Sequence, residues 1–142
     1  MNVDRIRLIC RVIGNYEPDN FEGFQLITKD QNGSVVYNPI QGDSGANSRY
    51  FKDISLVGSA EVGIEFWGAD QQDPDLNIVR EEIRIVTYDP RGKTIDEIRC
   101  GDYFDHHRQS EVRIASKDFM GFWYNFDGEK NIQRLGVIAY KD

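Results

Sequence analysis

The sequence has no long apolar run and few residues of the kinds that form metal or redox sites. Its 142 residues include two cysteines, Cys10 and Cys100, and two histidines, His106 and His107. No stretch approaches the roughly 20 apolar residues of a membrane-spanning helix, and residues 1–5 do not form the apolar core of a signal peptide. We therefore expect a soluble, cytoplasmic protein, with secretion as the alternative if a signal has been removed. Buried free thiols are expected rather than a disulfide, because cytosolic chains rarely oxidise.

The sequence also has fewer basic than acidic residues and lacks the common catalytic signatures. It contains 17 Lys and Arg and 24 Asp and Glu, which gives a formal net charge of −7 and a pI of about 4.8. A nonspecific nucleic-acid binder needs a cationic face, so we expect no nucleic-acid partner. There is no Ser-His-Asp signature, phosphate-binding glycine loop or zinc cysteine pair. Cys100 with His106 or His107 lacks a helix N-terminus or an orienting acid that would activate the thiol. We expect neither an enzyme nor a cofactor.

Helix signals are nearly absent as well, whereas strand signals recur. Apolar side chains occupy alternate positions in residues 6–12, 62–66 and 120–126, and most of the positions between them are arginine, glycine or another polar residue. This period of two is typical of strands with one buried face. On this basis we expect most of the large aromatic residues, Trp67 and Trp123 among them, to pack in a core or between sheets.

A repeated phrase organises these strands. Residues 26–33 (LITKDQNG) are echoed by residues 85–92 (IVTYDPRG), and residues 137–142 (VIAYKD) resemble a shortened copy. In the two complete copies an apolar strand runs into a turn that begins with Asp and ends with Gly, as β-hairpin turns do. One small β unit is therefore predicted to occur three times.

The repeat extends backwards along the chain. Residues 53–66 parallel residues 111–124, since both contain a strand, a short polar turn and a strand with glycine in its second position. A polar loop then precedes the repeated phrase, at residues 14–20, 68–77 and 127–131.

We predict a single all-β domain over residues 1–142. Three small antiparallel sheets cannot each bury a face alone, but together they can enclose one core as a triangular prism. About ten strands are expected, and the N- and C-terminal segments should lie close together and complete one sheet.

This pattern resembles the jacalin-related lectins, whose fold is a three-fold β-prism of Greek-key sheets. The resemblance runs from about Val3 to the end of the chain. It is carried by residues 83–92 (IRIVTYDPRG) and by residues 120–124 (MGFWY) with 135–140 (LGVIAY). Residues 4–10 (DRIRLIC) are similar to a strand of the vitelline membrane outer layer proteins, which share the prism, although their many disulfides are missing here.

The resemblance implies carbohydrate binding by loops at one end of the prism. The lectins use a Gly-x-x-x-Asp loop before their last strand; residues 128–133 match it but are one residue longer and have Gln133 where the Asp is expected. The other two loops are rich in carboxylates and amides, which suit sugar hydroxyls. The candidate sugar-binding residues are Asn15, Tyr16, Asp19, Trp67, Asp70, Asp73, Asp75, Asn77, Asp127, Gly128, Glu129, Asn131 and Gln133. A glycan is the expected partner, and self-association would add avidity.

Other interpretations remain open. The same scaffold could serve as a non-catalytic protein-interaction module of the inhibitor or immunity type, whose acidity suits a basic partner; the absence of the lectin Asp favours this alternative. Solvated loop acids and a calcium site at residues 70–77 are further alternatives, although the spacing does not match an EF-hand. His106 and His107 could ligate a metal from a loop. A two-sheet β-sandwich is the alternative fold.

Overall fold

The computed structural model describes residues 3–12, 19–42, 49–68, 82–100, 107–126 and 132–140. These residues form an all-β protein, as expected, with eleven strands and one turn of 3₁₀ helix at Ser116–Asp118. The strands are β1 (Val3–Val12), β2 (Asp19–Lys29), β3 (Val35–Tyr37), β4 (Gln41–Gly42), β5 (Arg49–Ser55), β6 (Glu61–Gly68), β7 (Glu82–Tyr88), β8 (Thr94–Cys100), β9 (His107–Ala115), β10 (Phe119–Phe126) and β11 (Ile132–Ala139). Among these elements no helix is long and apolar enough to cross a membrane.

Two of the three sheets are built on the same plan. The first, sheet A, has the order β3-β2-β1-β5, with β4 also pairing with β2, and sheet B has the order β8-β7-β6-β9. All neighbours that pair are antiparallel. In both sheets three consecutive strands are followed by a return strand that lies beside the first, which is the Greek-key order.

Sheet C contains only β10 and β11 among the described residues. The expectation that the two chain ends complete one sheet is therefore wrong, because β1 lies in the middle of sheet A and β11 lies in sheet C. The repeat predicts that residues 53–57 and 111–115 each begin a new unit. In the structure β5 and β9 instead close the preceding unit by pairing with β1 and β6. Within the part of the chain that the structure describes, the third sheet is therefore the one with fewer strands.

The three sheets share one core. Alternate residues of the central strands are fully buried, including Ile6 and Leu8 of β1 and Val62 and Ile64 of β6. They belong to one cluster with Phe119 and Phe122 of sheet C. Burying an aliphatic or aromatic side chain contributes about 1.5–3 kcal/mol, and no single sheet provides both walls of this core.

Aromatic rings form the contact between sheets A and C. The ring of Phe24 meets the rings of Phe122 and Tyr124 edge-on, with centroid distances of 5.0 and 5.5 Å. The hydroxyl of Tyr124 donates a hydrogen bond to the side-chain oxygen of Gln41 on β4. Edge-to-face geometry of this kind stabilises a pair beyond the area it buries.

The two predicted turns have the same geometry. The Oδ1 atom of Asp30 accepts hydrogen bonds from the backbone N–H groups of Asn32 and Ser34, both at 2.9 Å. Asp89 does the same for Arg91 and Lys93, also at 2.9 Å. The glycine at the end of each turn has a φ near +80°, at +80° for Gly33 and +84° for Gly92, a conformation that disfavours other residues.

The cysteines are paired, which corrects the expectation of free thiols. Cys10 on β1 and Cys100 on β8 form a disulfide with a Cα–Cα distance of 5.7 Å. Both side chains are fully buried. The two cysteines allow only this pair, but the sequence could not show that it forms, because the residues are 90 positions apart and meet only when sheets A and B pack together.

We expect the disulfide to contribute substantially to stability. A link over about 90 residues removes loop entropy from the unfolded chain equivalent to about 4–5 kcal/mol in the chain-entropy model. The double substitution Cys10→Ala with Cys100→Ala should therefore lower the free energy of unfolding in urea by about 2–5 kcal/mol.

Adding a reductant provides the internal control for this experiment. It should destabilise the wild-type protein and leave the double variant unchanged. If the wild-type protein, with its cysteines fully reduced, is as stable as it is without reductant, the disulfide does not contribute to stability as predicted.

Candidate functional site

Most of the sequence-predicted sugar-binding residues lie outside the described residues. These are Asn15, Tyr16, Asp70, Asp73, Asp75, Asn77, Asp127, Gly128, Glu129 and Asn131. The remaining three, Asp19, Trp67 and Gln133, lie on β2, β6 and β11 close to the loops. Of the predicted metal candidates, residues 70–77 and His106 are also outside the described part, while His107 begins β9.

The three predicted loops join corresponding strands. Each loop connects the first strand of a sheet in chain order to the strand that follows it and pairs with it: β1 to β2, β6 to β7, and β10 to β11. The last pairs before the loops are Val12 with Asp19, Trp67 with Glu82, and Phe126 with Ile132. The loops therefore occupy topologically equivalent positions in the three sheets.

Trp123 is the most prominent surface feature near one of these loops. It lies on the outer face of sheet C, directly opposite Gly136 of β11, and half of its surface (51%) is exposed. A Cβ atom added at Gly136 would overlap the indole ring, at Nε1, Cε2 and Cζ2. The ring thus lies across the neighbouring strand, with glycine making room beneath it. This arrangement leaves a broad aromatic surface open to solvent.

This position of Trp123 corrects the expectation that it packs in the core. The signal was present in the sequence, because Phe122 and Tyr124 alternate with Trp123 and take the inner face. The same alternation predicts that Met120 faces the core together with Phe122. A bulge between Phe119 and Gly121 changes this: Phe119 is buried in the core, and Met120 is exposed.

Sheet B contains a similar ring on glycine, but that ring is covered. Tyr88 lies over Gly63, where an added Cβ would come within 3.1 Å of the tyrosine ring. The guanidinium of Arg113 lies over the same ring, 3.5 Å from its centroid. Arg113 also forms an ion pair with Glu61 at 3.3 Å. Only 9% of Tyr88 remains exposed, so this ring is part of the packing.

Other apolar side chains extend the exposed surface around Trp123. Ile138 pairs with Gly121 and is exposed on the same sheet, and Met120 and Tyr140 are exposed at the end of the sheet away from the loop. We call Met120, Trp123, Ile138 and Tyr140 the sheet C surface. Exposed apolar residues concentrated on one sheet are a feature of many binding sites.

The outer face of sheet A contains a second conspicuous cluster. The guanidinium of Arg7 donates two hydrogen bonds to the carboxylate of Asp53, at 2.8 and 3.1 Å, and one to Gln25 at 3.2 Å. It also lies 4.7 Å from the ring centroid of Phe51 and 5.6 Å from that of Tyr37. The hydrogen bond to Asp53 raises the pKa of Arg7, against the opposing effect of burial.

The Arg7 cluster is satisfied within the protein. Its carboxylate partner is bidentate, and Gln25 is itself held by a hydrogen bond from its side-chain amide to the carbonyl of Asn38 at 2.8 Å. A ligand would have to displace these charge-assisted bonds, which are among the stronger ones in proteins. We therefore regard the cluster as a clasp across β1, β2 and β5, and Trp123 as the better candidate site.

Metal binding receives no support from the described ranges. They contain no group of three or more His, Cys, Asp or Glu side chains placed to hold an ion.

Comparison with known proteins provides no further assignment: no protein-family model, curated protein or solved structure matches the chain.

The packing of Trp123 on Gly136 can be tested by a double-mutant cycle. Gly136→Ala should cost about 1–3 kcal/mol in the wild-type protein, because the new Cβ overlaps the indole. In the Trp123→Ala background the same change should cost almost nothing, since Gly136 does not have a left-handed φ and alanine restricts the unfolded chain. Urea unfolding of the four proteins gives the coupling energy. Equal costs in both backgrounds would contradict the observed packing.

The clasp predicts a difference between two neighbouring arginines. Arg7→Lys should destabilise the protein by about 1–3 kcal/mol, because lysine cannot make the bidentate bond or stack in the same way. Arg5→Lys is the matched control: Arg5 is more exposed and reaches Asp53 only at 3.8 Å, so its loss should cost less than about 0.5 kcal/mol. Thermal unfolding of both variants measures the difference, and equal shifts would show that the clasp does not stabilise sheet A.

Proposed function

We propose that this protein is a non-catalytic, lectin-like carbohydrate-binding module, and that Trp123 is the centre of its site. The observation that carries the proposal is the indole that lies on Gly136 with half of its surface exposed. Trp123 belongs to β10, the strand that leads into residues 127–131, which are among the predicted sugar-binding residues.

The chemistry of this arrangement suits a sugar. A pyranose ring presents C–H groups on one face, which can stack on an indole, and hydroxyl groups at its rim, which need hydrogen-bond partners. Trp123 provides an apolar ring together with a polar N–H. Asp127, Glu129, Asn131 and Gln133 supply carboxylate and amide groups in or beside the adjoining loop.

We infer further that the three sheets form a β-prism like that of the jacalin-related lectins. Support for this inference comes from the two sheets with Greek-key order, from the core shared by all three sheets, and from the equivalent loops. Sheet C, which has two strands among the described residues, is the departure from three-fold symmetry.

A glycan array with and without Ca²⁺ is the primary test, followed by titration of any glycan found. Trp123→Ala should weaken its binding by about tenfold or more, through loss of the stacking surface. Because the side chain of Trp123 is half exposed, this substitution should lower the free energy of unfolding by only about 1 kcal/mol. Tyr37→Ala is the matched control, since Tyr37 is a similarly exposed aromatic residue on sheet A and its loss should leave binding unchanged.

The outcomes separate the candidate surfaces. Loss of binding in Tyr37→Ala but not in Trp123→Ala would move the site to the Arg7 cluster. If the double variant Asp73→Ala with Asp75→Ala abolishes glycan binding and Trp123→Ala does not, the sugar site includes residues 68–77 instead. No binding to any glycan at high protein concentration would end the lectin proposal.

The alternative function is a protein-interaction module for a basic partner. The sheet C surface favours it, because Met120, Ile138 and Tyr140 add apolar area that a sugar does not require. The net charge of −7 would favour association with a cationic protein. Capture of a basic protein that is lost in the Ile138→Asp variant would support this function over the lectin.

A further inference from the structure

The outer edge of β10 differs from the corresponding edges in the other sheets. The equivalent strands β1 and β6 each pair on both sides, with β2 and β5 in sheet A and with β7 and β9 in sheet B. In the part of the chain that the structure describes, β10 pairs with β11 alone. A strand edge of this kind presents a row of backbone N–H and C=O groups that can pair with another strand.

The sequence of β10 contains none of the usual protection against such pairing. Its eight residues (FMGFWYNF) include no charged residue and no proline. Every other long edge strand among the described residues contains charged residues: β5 contains Arg49, Lys52 and Asp53, β8 contains Asp96, Glu97 and Arg99, and β11, the second edge of sheet C, contains Arg134. β9 likewise contains Arg108, Glu111 and Arg113. Charged side chains are a common device by which proteins prevent edge-to-edge association.

We propose that β10 is a homodimer interface, at which two copies of the chain pair β10 with β10. The resulting sheet has the order β11-β10-β10-β11 and four strands, as sheet B does. A two-fold axis perpendicular to the sheet makes the two β10 strands antiparallel. This is also the orientation of β5 beside β1 and of β9 beside β6.

Charge disfavours the other strand edges as sites for a second copy and does not disfavour β10. Each chain carries a net charge of −7, so two copies repel each other over most orientations. β10 contributes no charge to the seam, whereas like charges placed opposite one another on paired strands are destabilising. The exposed side chain of Met120 would bury apolar area beside the seam.

The faces of the strand restrict the register. Residues directly opposite one another in a sheet share a face, so Trp123 must meet an outer-face residue of the second copy. Two registers satisfy this condition and overlap β10 equally, one centred on Phe122 and one centred on Trp123. In both registers each indole lies on its own β11, away from the seam. If the proposed function is correct, the dimer therefore offers a glycan two aromatic surfaces on one face of the sheet; the dimer itself does not depend on that function.

Two measurements on the wild-type protein test the dimer and its location. Sedimentation velocity over about a thousandfold range of concentration should show a monomer–dimer equilibrium. Hydrogen exchange at the two ends of that range should show increased amide protection in β10 at high concentration. The edge strands β5, β8 and β9 provide the internal control and should exchange equally at both concentrations.

A pair of variants tests the same seam. Met120→Asp places a carboxylate on β10 and should weaken the dimer by about tenfold or more. Ile138→Asp is the matched control, because Ile138 is similarly exposed on the same sheet (45% against 51%) but lies on β11, one strand away from the seam. It should change the dimer affinity less than about threefold.

The outcomes are decisive in either direction. A monomer at every concentration would overturn the proposal, and so would a dimer in which protection increases at β5, β8 or β9. Equal weakening by the two Asp variants would place the interface on the outer face of sheet C instead of the β10 edge. Glycan binding by a strictly monomeric protein would leave the proposed function intact and reject the dimer alone.

Discussion

The whole structure depends on one constraint: each sheet has a single apolar face, and no sheet can bury that face alone. Ile6 and Leu8 of sheet A, Val62 and Ile64 of sheet B and Phe122 of sheet C meet in one cluster. Since small sheets are not stable in isolation, the three must fold together. The Cys10–Cys100 disulfide and the Phe24–Phe122 contact join sheet A to its two neighbours.

Local features of this fold could be predicted from the sequence, and long-range features could not. The alternation in residues 62–66 and the Asp-to-Gly turns at residues 30–33 and 89–92 depend on neighbours in the chain. They therefore indicated the strands and turns correctly. The partners of β5 and β9 depend on the return of the chain across a sheet, which the repeated phrase does not specify. Repetition of sequence revealed the unit but misplaced its boundary by one strand.

The candidate site shows the same division. Alternation in β10 was sufficient to place Trp123 outside, because Phe122 and Tyr124 must face the core. Composition suggested the opposite, since large aromatic residues are usually buried. The partner of the indole, Gly136, could not be found from the sequence, because the pairing of β10 with β11 includes two irregularities in register. The Arg7 cluster was also beyond reach, as it combines side chains from four strands.

The aromatic rings that lie on glycine in sheets B and C have different surroundings. In sheet B the ring of Tyr88, on β7, lies on Gly63 of β6 and is covered by Arg113, a residue of the return strand β9. In sheet C the indole of Trp123 lies on Gly136 of β11, on the side of β10 that faces away from the β9 position. The exposure of the ring therefore does not depend on the outer edge of β10, at which the described residues place no strand. A second copy at that edge would supply a strand in the position of β9 and would leave both indoles open, because each lies on its own β11, away from the seam.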